Sequence, residues 1–253
     1  MVLDDGLRLL LSGRRDGMHY QGVGLLLGSK ANKALCEWDP IDERLLYARF
    51  KSTHGNISMF VCYAPTNDAP DERKDEFYVK LQEGISRVAK HDVLVCIGDF
   101  NAIMGKSNEG FEECMGNMGL GRAMNENGVR LGSFCLANNL VVGGTLFQHL
   151  DIHKTTWVSP CGKYKNQIDH IAVSKKYRSS LLDVQVKRGA DIGSDHQLCI
   201  SKFRIKLKSW KEKNSVARKY DIDLIRREGV ERDEFKAECR NRFLVLATLD
   251  EGE

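Results

Sequence analysis

The sequence predicts an α/β sandwich, a fold in which two β-sheets pack together and helices flank them. Short apolar or alternating runs, which are typical of strands, outnumber helical patterns along the 253 residues. A clear amphipathic helical pattern separates two of these runs, and a strand, a helix and a strand in succession indicate helices packed on a sheet. No internal repeat is visible in the sequence, so a repeat architecture is not expected.

The first half of the chain contains a series of predicted strands and one predicted helix. Three short runs are bounded by Gly, Pro, Asn or His and predict strands at residues 23–27, 45–50 and 57–63. An amphipathic helix is predicted over residues 71–90, because apolar residues recur at helical spacing among charged ones. The continuous apolar run at 93–97 then predicts a buried strand.

The second half begins with residues 104–128, which are rich in Gly, Asn, Met and Glu and predict a long surface loop. A helix is predicted over residues 129–138. Further short runs predict strands at 140–142, 155–158, 167–173, 182–186 and 197–203. The predicted sandwich therefore occupies residues 1–203.

From residue 204 the composition changes, and we predict a second region, 204–253, that consists of a basic linker and C-terminal helices. The basic stretch at 206–219 contains six Lys or Arg residues and one aromatic residue, Trp210. Helical patterns follow at 221–228 and 231–247. Such a region is usually a solvated arm or a linker, and contact with nucleic acid is the second interpretation.

Composition indicates an ordinary globular protein, since 29% of the residues are charged and 42% are hydrophobic. A net charge of +3 is too small by itself to indicate a polyanionic partner. No apolar stretch is long enough to span a membrane, and the acidic start Met1-Val2-Leu3-Asp4-Asp5 differs from the basic start of a signal peptide. The 8 cysteines form no Cys-x-x-Cys pair, so we expect free thiols in a reducing compartment.

Polar residues stand at the ends of several predicted strands. In Gly98-Asp99-Phe100-Asn101, which follows the run 93–97, Asp99 and Asn101 are two positions apart and therefore point to the same side. A carboxylate and a carboxamide there suit a phosphate, a divalent metal or an attacking water, although an Asx turn is the commoner interpretation. Tyr63 ends another strand before Pro65 and can project its hydroxyl at the sheet rim; the alternative is a core tyrosine.

Two further motifs place charged residues beside apolar strands. Asp169 lies in Gln167-Ile168-Asp169-His170-Ile171, where a charge needs a partner, and alternation places His170 on the opposite face. Asp195 and His196, in Gly193-Ser194-Asp195-His196, precede the last predicted strand, although Ser-Asp-His is also a plausible turn. Together with the Asp and Asn after residue 98, these residues favour metal-assisted attack of water on a phosphodiester.

Four motifs, in their order and spacing, resemble the endonuclease/exonuclease/phosphatase superfamily: Tyr-Ala-Pro-Thr at 63–66, Gly-Asp-Phe-Asn at 98–101, Gln-Ile-Asp-His-Ile at 167–171 and Gly-Ser-Asp-His at 193–196. Segments within 75–78, 125–128 and 156–169 look like the endonuclease of RTE-type non-LTR retrotransposons, a domain shared by proteins named craniofacial development protein 2. The resemblance implies a DNase I-like four-layer α/β sandwich, with two mixed sheets flanked by helices, that nicks DNA.

The resemblance also implies roles for individual residues on the water and phosphate side of the reaction. Asp99 matches the carboxylate that orients or deprotonates the attacking water. Asn101 matches a residue that contacts the scissile phosphate, and Tyr63 matches a tyrosine that reaches this phosphate or the leaving oxygen.

The remaining motif residues match the metal and histidine side of the superfamily's site. Asp195 corresponds to a metal-associated aspartate, and His196 to a phosphate-contacting histidine that Asp169 orients. The implied cofactor is Mg²⁺ and the implied partner is DNA. We expect a monomer that does not bind membranes and that is intracellular, in the nucleus rather than the cytoplasm.

One part of the superfamily pattern has no counterpart in this sequence. Superfamily members begin with a strand bearing an Asn and a second strand ending in a Gln-Glu-like motif, whose Glu is the main metal ligand. This chain starts at Met1 just beyond that position, and the nearby acids Asp4 and Asp5 do not resemble the motif. We therefore expect the first strands of one sheet to be absent, apolar strand edges to be exposed and activity to be impaired.

Three alternative functions stay open. A phosphatase or sphingomyelinase of the same superfamily is one, and the retrotransposon-like segment 156–169 argues against it. A non-catalytic nucleic-acid-binding fragment is the second, and it would use the basic stretch at 206–219. The third is a transposon relic without a selected role.

Overall fold

The computed structural model describes residues 6–14, 16, 18, 20–189, 193–205, 229–230 and 232–237. Backbone contacts divide the chain into two units, residues 1–207 and 208–253. In the second unit residues 232–237 are helical. The basic stretch at 206–219, the predicted helix at 221–228 and the rest of that at 231–247 lie outside the described residues, and the domain boundary after residue 203 stays a prediction.

The described part of the first unit contains twelve strands and three α-helices. In chain order they are β1 (Arg8–Gly13), β2 (Gly22–Leu27), α1 (Ser29–Ala34), β3 (Leu35–Asp42), β4 (Leu45–Phe50), β5 (Ile57–Tyr63), α2 (Asp71–Ser86), β6 (Val93–Asp99), α3 (Glu126–Ala137), β7 (Leu140–Val142), β8 (Trp157–Val158), β9 (Lys165–Asn166), β10 (Asp169–Ser174), β11 (Leu181–Lys187) and β12 (Leu198–Phe203). Within the described ranges, no helix has the length and apolar character that a membrane crossing requires.

A six-stranded mixed sheet, in the order β3-β4-β5-β6-β10-β7, forms the centre of this unit. Strands β5 and β6 run parallel, and the other neighbouring pairs run antiparallel. Helix α2 connects β5 to β6, as a parallel pair requires a crossover connection. The carboxyl ends of β5 and β6 and the amino end of β10 therefore meet at one edge of the sheet.

One face of the sheet packs against α2 and α3. Because side chains alternate along a strand, every second residue of the central strands faces the helices. The resulting core contains sheet residues and helix residues in close contact, among them Phe60, Cys62, Leu94, Cys96, Phe77, Leu81, Leu131 and Cys135. Burying each large side chain of this kind contributes about 1.5–3 kcal/mol, so this face supplies much of the stability.

The opposite face is covered by two separate hairpins. The β1–β2 hairpin packs on β4 and β5, and the β11–β12 hairpin packs on β6 and β10. An apolar groove of about 670 Å³ lies between the β11–β12 hairpin and the central strands β5, β6 and β10. Its floor consists of side chains of the central strands, and Ile57, Met59, Val61 and Ile97 stay partly exposed there.

The predicted α/β sandwich is confirmed, and its predicted strands lie close to the observed ones. Four elements are not indicated by the sequence patterns: β1, α1, β3 and β9. Strand β3 contains Pro40 and three acidic residues, and most of its side chains are exposed, as an edge strand permits. The apolar pattern that identifies a buried strand is therefore missing from it.

The prediction of a surface loop at 104–128 is wrong for part of this segment. Met104, Cys114 and Met115 are 0%, 1% and 2% exposed, and they join the core beside α3. The carbonyl oxygen of Cys114 also accepts a hydrogen bond from Val142 N at 2.8 Å. A segment without regular secondary structure is thus built into the core because its apolar side chains and its backbone both find partners.

Candidate active site

Register brings three of the predicted site residues into one row across neighbouring strands. Asp99 at the end of β6 lies opposite Tyr63 at the end of β5 and opposite Asp169 at the start of β10. Neighbouring strands lie about 4.8 Å apart, so three polar side chains converge at one edge of the sheet. The predicted convergence of polar residues at strand ends is present in the structure.

Backbone conformation explains why glycine stands at position 98 and asparagine at position 101. Gly98 has φ +136°, and a Cβ atom there would overlap the carbonyl oxygen of Cys62 on the neighbouring strand. Asn101 adopts the left-handed conformation, with φ +48°. Its backbone N–H donates to Asp99 Oδ1 at 2.8 Å, and its Nδ2 donates to Ala64 O at 3.0 Å. The Asx turn, which was the alternative interpretation, is therefore present within the candidate site.

His196 and Asp169 form a hydrogen-bonded pair. His196 Nδ1 lies 3.0 Å from Asp169 Oδ2, and the two side chains are 32% and 21% exposed. This hydrogen bond and the charge of Asp169 raise the pKa of His196. Because Nδ1 of His196 is hydrogen-bonded to Asp169, the other ring nitrogen, Nε2, is the one that can contact a substrate.

Asp195 is held by a tryptophan from another part of the chain. Trp157 Nε1 donates to Asp195 Oδ2 at 2.7 Å, and Val158 N donates to the Asp195 carbonyl oxygen at 3.1 Å. In the same segment, Thr156 Oγ1 accepts from Asp169 N at 3.1 Å. The segment 156–158, which includes β8, therefore connects the two motifs that carry Asp169 and Asp195.

Asp99 lies in an unusual electrostatic environment. Burial and the neighbouring charge of Asp169 raise its pKa to about 6, while the hydrogen bond from Asn101 N and the charge of His196 oppose this. No Lys or Arg of the described residues forms an ion pair with it. A carboxylate with a pKa near neutrality can exchange a proton at physiological pH, as a general base does.

The two histidines of these motifs have different surroundings, and His170 lies on the face of β10 opposite Asp169, as alternation along the strand predicts. His170 is 1% exposed and lies on the helical face, where its Nε2 is 2.6 Å from Ala102 O. Burial lowers its pKa. His170 is therefore a packed core residue, and His196 is the histidine of the candidate site.

Arg44 is a site neighbour that the sequence reasoning missed. Its Nη1 donates to the Tyr63 carbonyl oxygen at 3.0 Å, and its guanidinium lies 5.0 Å from the centroid of the Tyr63 ring. Arg44 therefore restrains Tyr63 at the sheet edge. No local pattern around Arg44 indicates this contact, because it depends on the pairing of β4 with β5.

The oxygen ligands at the site are compatible with magnesium. Mg²⁺ prefers oxygen and is usually bound by one or two carboxylates together with waters and substrate phosphates. Asp99 and Asp195 can supply such carboxylates, while Asp4 and Asp5 lie outside the described residues. The described part of the chain contains no group of three His, Cys, Asp or Glu side chains that could hold a metal by themselves.

Sequence comparison identifies longer relatives. No family model matches the sequence. Craniofacial development protein 2 of Bos taurus is 38% identical over 194 residues, which are 77% of this chain and 32% of that protein. The chain therefore spans about a third of the length of the curated relatives it matches.

Solved structures show the same fold. The endonuclease domain of TRAS1, a telomere-specific non-LTR retrotransposon, matches with a TM-score of 0.56 and 14% identity, over 80% of this chain and 82% of that domain. The 3′ phosphatase NExo from Neisseria, bound to a product DNA hairpin, matches with a TM-score of 0.57 and 20% identity, over 79% and 80%. The mixed sheet with its helical layer, considered with these matches, gives this chain a DNase I-like α/β sandwich fold.

Proposed function

We propose that this chain is a metal-dependent, endonuclease-type phosphodiesterase domain of retrotransposon origin that hydrolyses DNA. The main support is the convergence of Asp99, Asp169 and His196 at one edge of the sheet, with the last two joined at 3.0 Å. Carboxylates and an imidazole in this arrangement can activate water and hold a phosphate. The names of the two matched structures, an endonuclease domain and a 3′ phosphatase, are consistent with this chemistry.

In the proposed reaction, a water oxygen bonds to phosphorus and the P–O3′ bond breaks, which leaves a 3′-hydroxyl and a 5′-phosphate. Asp99 takes the proton of the water. His196, whose charged form Asp169 stabilises, donates a hydrogen bond from Nε2 to a non-bridging phosphate oxygen, and the leaving 3′ oxygen takes its proton from a solvent water. The Tyr63 hydroxyl and the Asn101 carboxamide orient the scissile phosphate and the leaving oxygen.

Magnesium would be held by Asp195 together with waters and the phosphate, and when bound it would neutralise charge on the phosphate oxygens. We propose that it binds weakly and that activity is impaired. Trp157 already occupies Oδ2 of Asp195, and Asp169 is engaged by His196, so few carboxylate oxygens stay available to the ion. Millimolar Mg²⁺ would then be needed for slow turnover.

The test is nicking of supercoiled plasmid by the purified chain in millimolar Mg²⁺, with EDTA as the metal-free control. We expect slow nicking that EDTA abolishes and that Asp99→Ala removes. Asp151→Ala is the matched control, because Asp151 is an exposed aspartate whose side chain, among the described residues, pairs with Lys154. Nicking by Asp99→Ala at the unmodified rate would contradict the site, and no nicking with Mg²⁺ or Mn²⁺ would contradict the function.

A 3′ phosphatase is the second candidate, because one matched structure carries that name. The same row of residues can hydrolyse a terminal phosphate as well as an internal one, since both reactions attack phosphorus with water. An oligonucleotide with a 3′-phosphate, assayed beside the plasmid, separates the two. Release of inorganic phosphate without nicking would favour the phosphatase.

A further inference from the structure

The amino end of α3 is joined to the loop that follows Asp99. Asn125 caps this helix, since its Oδ1 accepts from Gly128 N at 2.7 Å. The same oxygen accepts from Ile103 N at 2.8 Å, and Asn125 Nδ2 donates to Asn101 O at 3.0 Å. A Cβ atom at position 128 would overlap Ile103 O, so glycine permits this close approach. The Asn-Glu-Asn-Gly motif at 125–128 is thus an attachment point as well as a helix cap.

Asn127 joins two loops of the candidate site through one carboxamide. It is 1% exposed, and its Nδ2 donates to Pro65 O at 3.0 Å and to Asn101 O at 3.2 Å. Its backbone N–H donates to Asn67 Oδ1 at 3.2 Å. Pro65 follows β5 and Asn101 follows β6, so a single buried side chain spans the ends of the two parallel strands.

The Asn101 carbonyl oxygen therefore receives two carboxamide donors, from Asn125 and from Asn127. Asn101 has φ +48°, a conformation that non-glycine residues adopt when their surroundings fix it. With this carbonyl held, the Asn101 N–H points at Asp99 and its side chain points at Ala64 O. The orientation of the site's carboxylate thus depends on the helix behind it.

We infer that Asn127, together with Asn125, is a positioning residue that sets the geometry of Asp99 and Asn101 relative to Tyr63. The inference rests on the proposed function for its catalytic consequence. It assigns a role to the 125–128 motif, which the proposed mechanism does not use.

Asn127→Asp distinguishes this role from a contribution to the helix alone. The two side chains have the same shape, but a carboxylate cannot donate to the carbonyl oxygens of Pro65 and Asn101. A negative charge in the first turn of a helix is favourable, so helix stability by itself predicts a neutral or favourable effect. The positioning role predicts the opposite result at the site.

Asn138→Asp is the matched control, because Asn138 caps the other end of α3. Its Nδ2 donates to Phe134 O at 3.0 Å and to Gln82 Oε1 at 2.6 Å. Asn127→Ser is a second variant in case Asn127→Asp does not fold. Hydrogen exchange of individual backbone amides is measured on each folded variant, beside plasmid nicking and the Kd for a plasmid-derived duplex.

We expect the Asn101 and Ile103 amides of Asn127→Asp to exchange at least tenfold faster, with the Val95 amide unchanged. Nicking should fall at least tenfold, with the duplex Kd within about twofold, and Asn138→Asp should change neither. If the unmodified chain nicks DNA and the Asn101 amide of Asn127→Asp exchanges at the unmodified rate, the inference is overturned but the proposed function is not. Failure of the unmodified chain to nick would overturn the proposed function and, with it, the catalytic consequence of the contacts of Asn125 and Asn127, whichever exchange result is found.

Discussion

Asp92 and Asp99 lie at the two ends of strand β6, and their carboxylates have different electrostatic surroundings. Asp92 is 7% exposed, and its carboxylate accepts from Arg49 at 2.7 and 3.2 Å and from Ser58 Oγ at 2.8 Å. At the other end of the strand, Asp99 accepts from Asn101 N and lies near Asp169 and Asp195. One strand therefore carries a carboxylate with an arginine partner and a carboxylate that lies near two other acids and a histidine.

The difference shows how a fold can distinguish a structural charge from a functional one. A buried carboxylate that is paired with a cation and hydrogen-bonded serves the stability of the fold. A half-buried carboxylate near other carboxylates, such as Asp99, is destabilising, and such groups are concentrated where a shifted pKa is needed for chemistry. The same substitution, Asp to Asn, tests both ends of β6.

The largest expected effect is on catalysis at Asp99. Asp99→Asn keeps the shape of the side chain but removes the base, so nicking should fall about 10²–10⁴-fold, the usual contribution of general-base catalysis. Asp92→Asn should keep nicking within about threefold in the folded fraction, since it lies at the opposite edge of the sheet. Initial rates of plasmid nicking measure both. Equal losses in the two variants would remove the functional distinction between the two ends.

The comparison also shows what local sequence can predict about this site. The polar residues after β5 and β6 were identified because Gly, Pro and short apolar runs mark where the strands end. Alternation along β10 separated Asp169 from His170 correctly. The pairing of Asp169 with His196, in contrast, depends on how distant strands meet, and it was expected only from the resemblance to a known family.

Other parts of the molecule were not predictable for a related physical reason. Trp157, Arg44 and Asn127 act through hydrogen bonds to groups far away in sequence, two of them backbone carbonyls, and these produce no periodic pattern. Strand β3 and the buried part of 104–128 were missed because their burial is decided by neighbours in space. The central strands were found because their own residues are apolar on both faces.

A second prediction concerns stability at the paired end. Asp92→Asn should lower the free energy of unfolding by about 2–3 kcal/mol, less than the 3–5 kcal/mol of a fully buried pair, because the Arg49 side chain is 28% exposed. Urea unfolding at pH 7 and low salt measures this. A change below about 0.5 kcal/mol would show that Asp92 is no more important than a surface charge.

A third prediction uses the pH dependence of stability at the unpaired end. Because the folded-state pKa of Asp99 is about 6 and its ordinary value is 3.8, the folded chain binds this proton more tightly than the unfolded chain does. The contribution of Asp99 to stability therefore falls as the pH rises from about 4 to 6. Asp99→Asn should be more stable than the unmodified chain by roughly 2 kcal/mol at pH 7, and the two should converge near pH 3.5.

Urea unfolding of the metal-free chain and of Asp99→Asn, at half-unit pH intervals, tests this. EDTA must be present, because a bound cation would lower the pKa of Asp99 and hide the effect. If the difference in free energy of unfolding between the two chains is constant across the whole pH range, the greater stability of Asp99→Asn comes from packing and not from charge. Lower stability of Asp99→Asn at pH 7 would contradict the view that this carboxylate destabilises the fold.

The smallest expected effect concerns Asp195. Its carboxylate accepts from a neutral indole N–H, so its surroundings are intermediate between those of Asp92, which has a cationic partner, and those of Asp99, which has no Lys or Arg partner among the described residues. Trp157→Phe keeps an aromatic ring but removes the hydrogen bond to Asp195, which should slow nicking three- to tenfold, or about 1 kcal/mol. Trp38→Phe is the matched control, since Trp38 is 36% exposed on the edge strand β3. If both variants nick equally well, Asp195 needs no partner to hold its position, and only the charge environment of Asp99 would distinguish the site from the rest of the sheet.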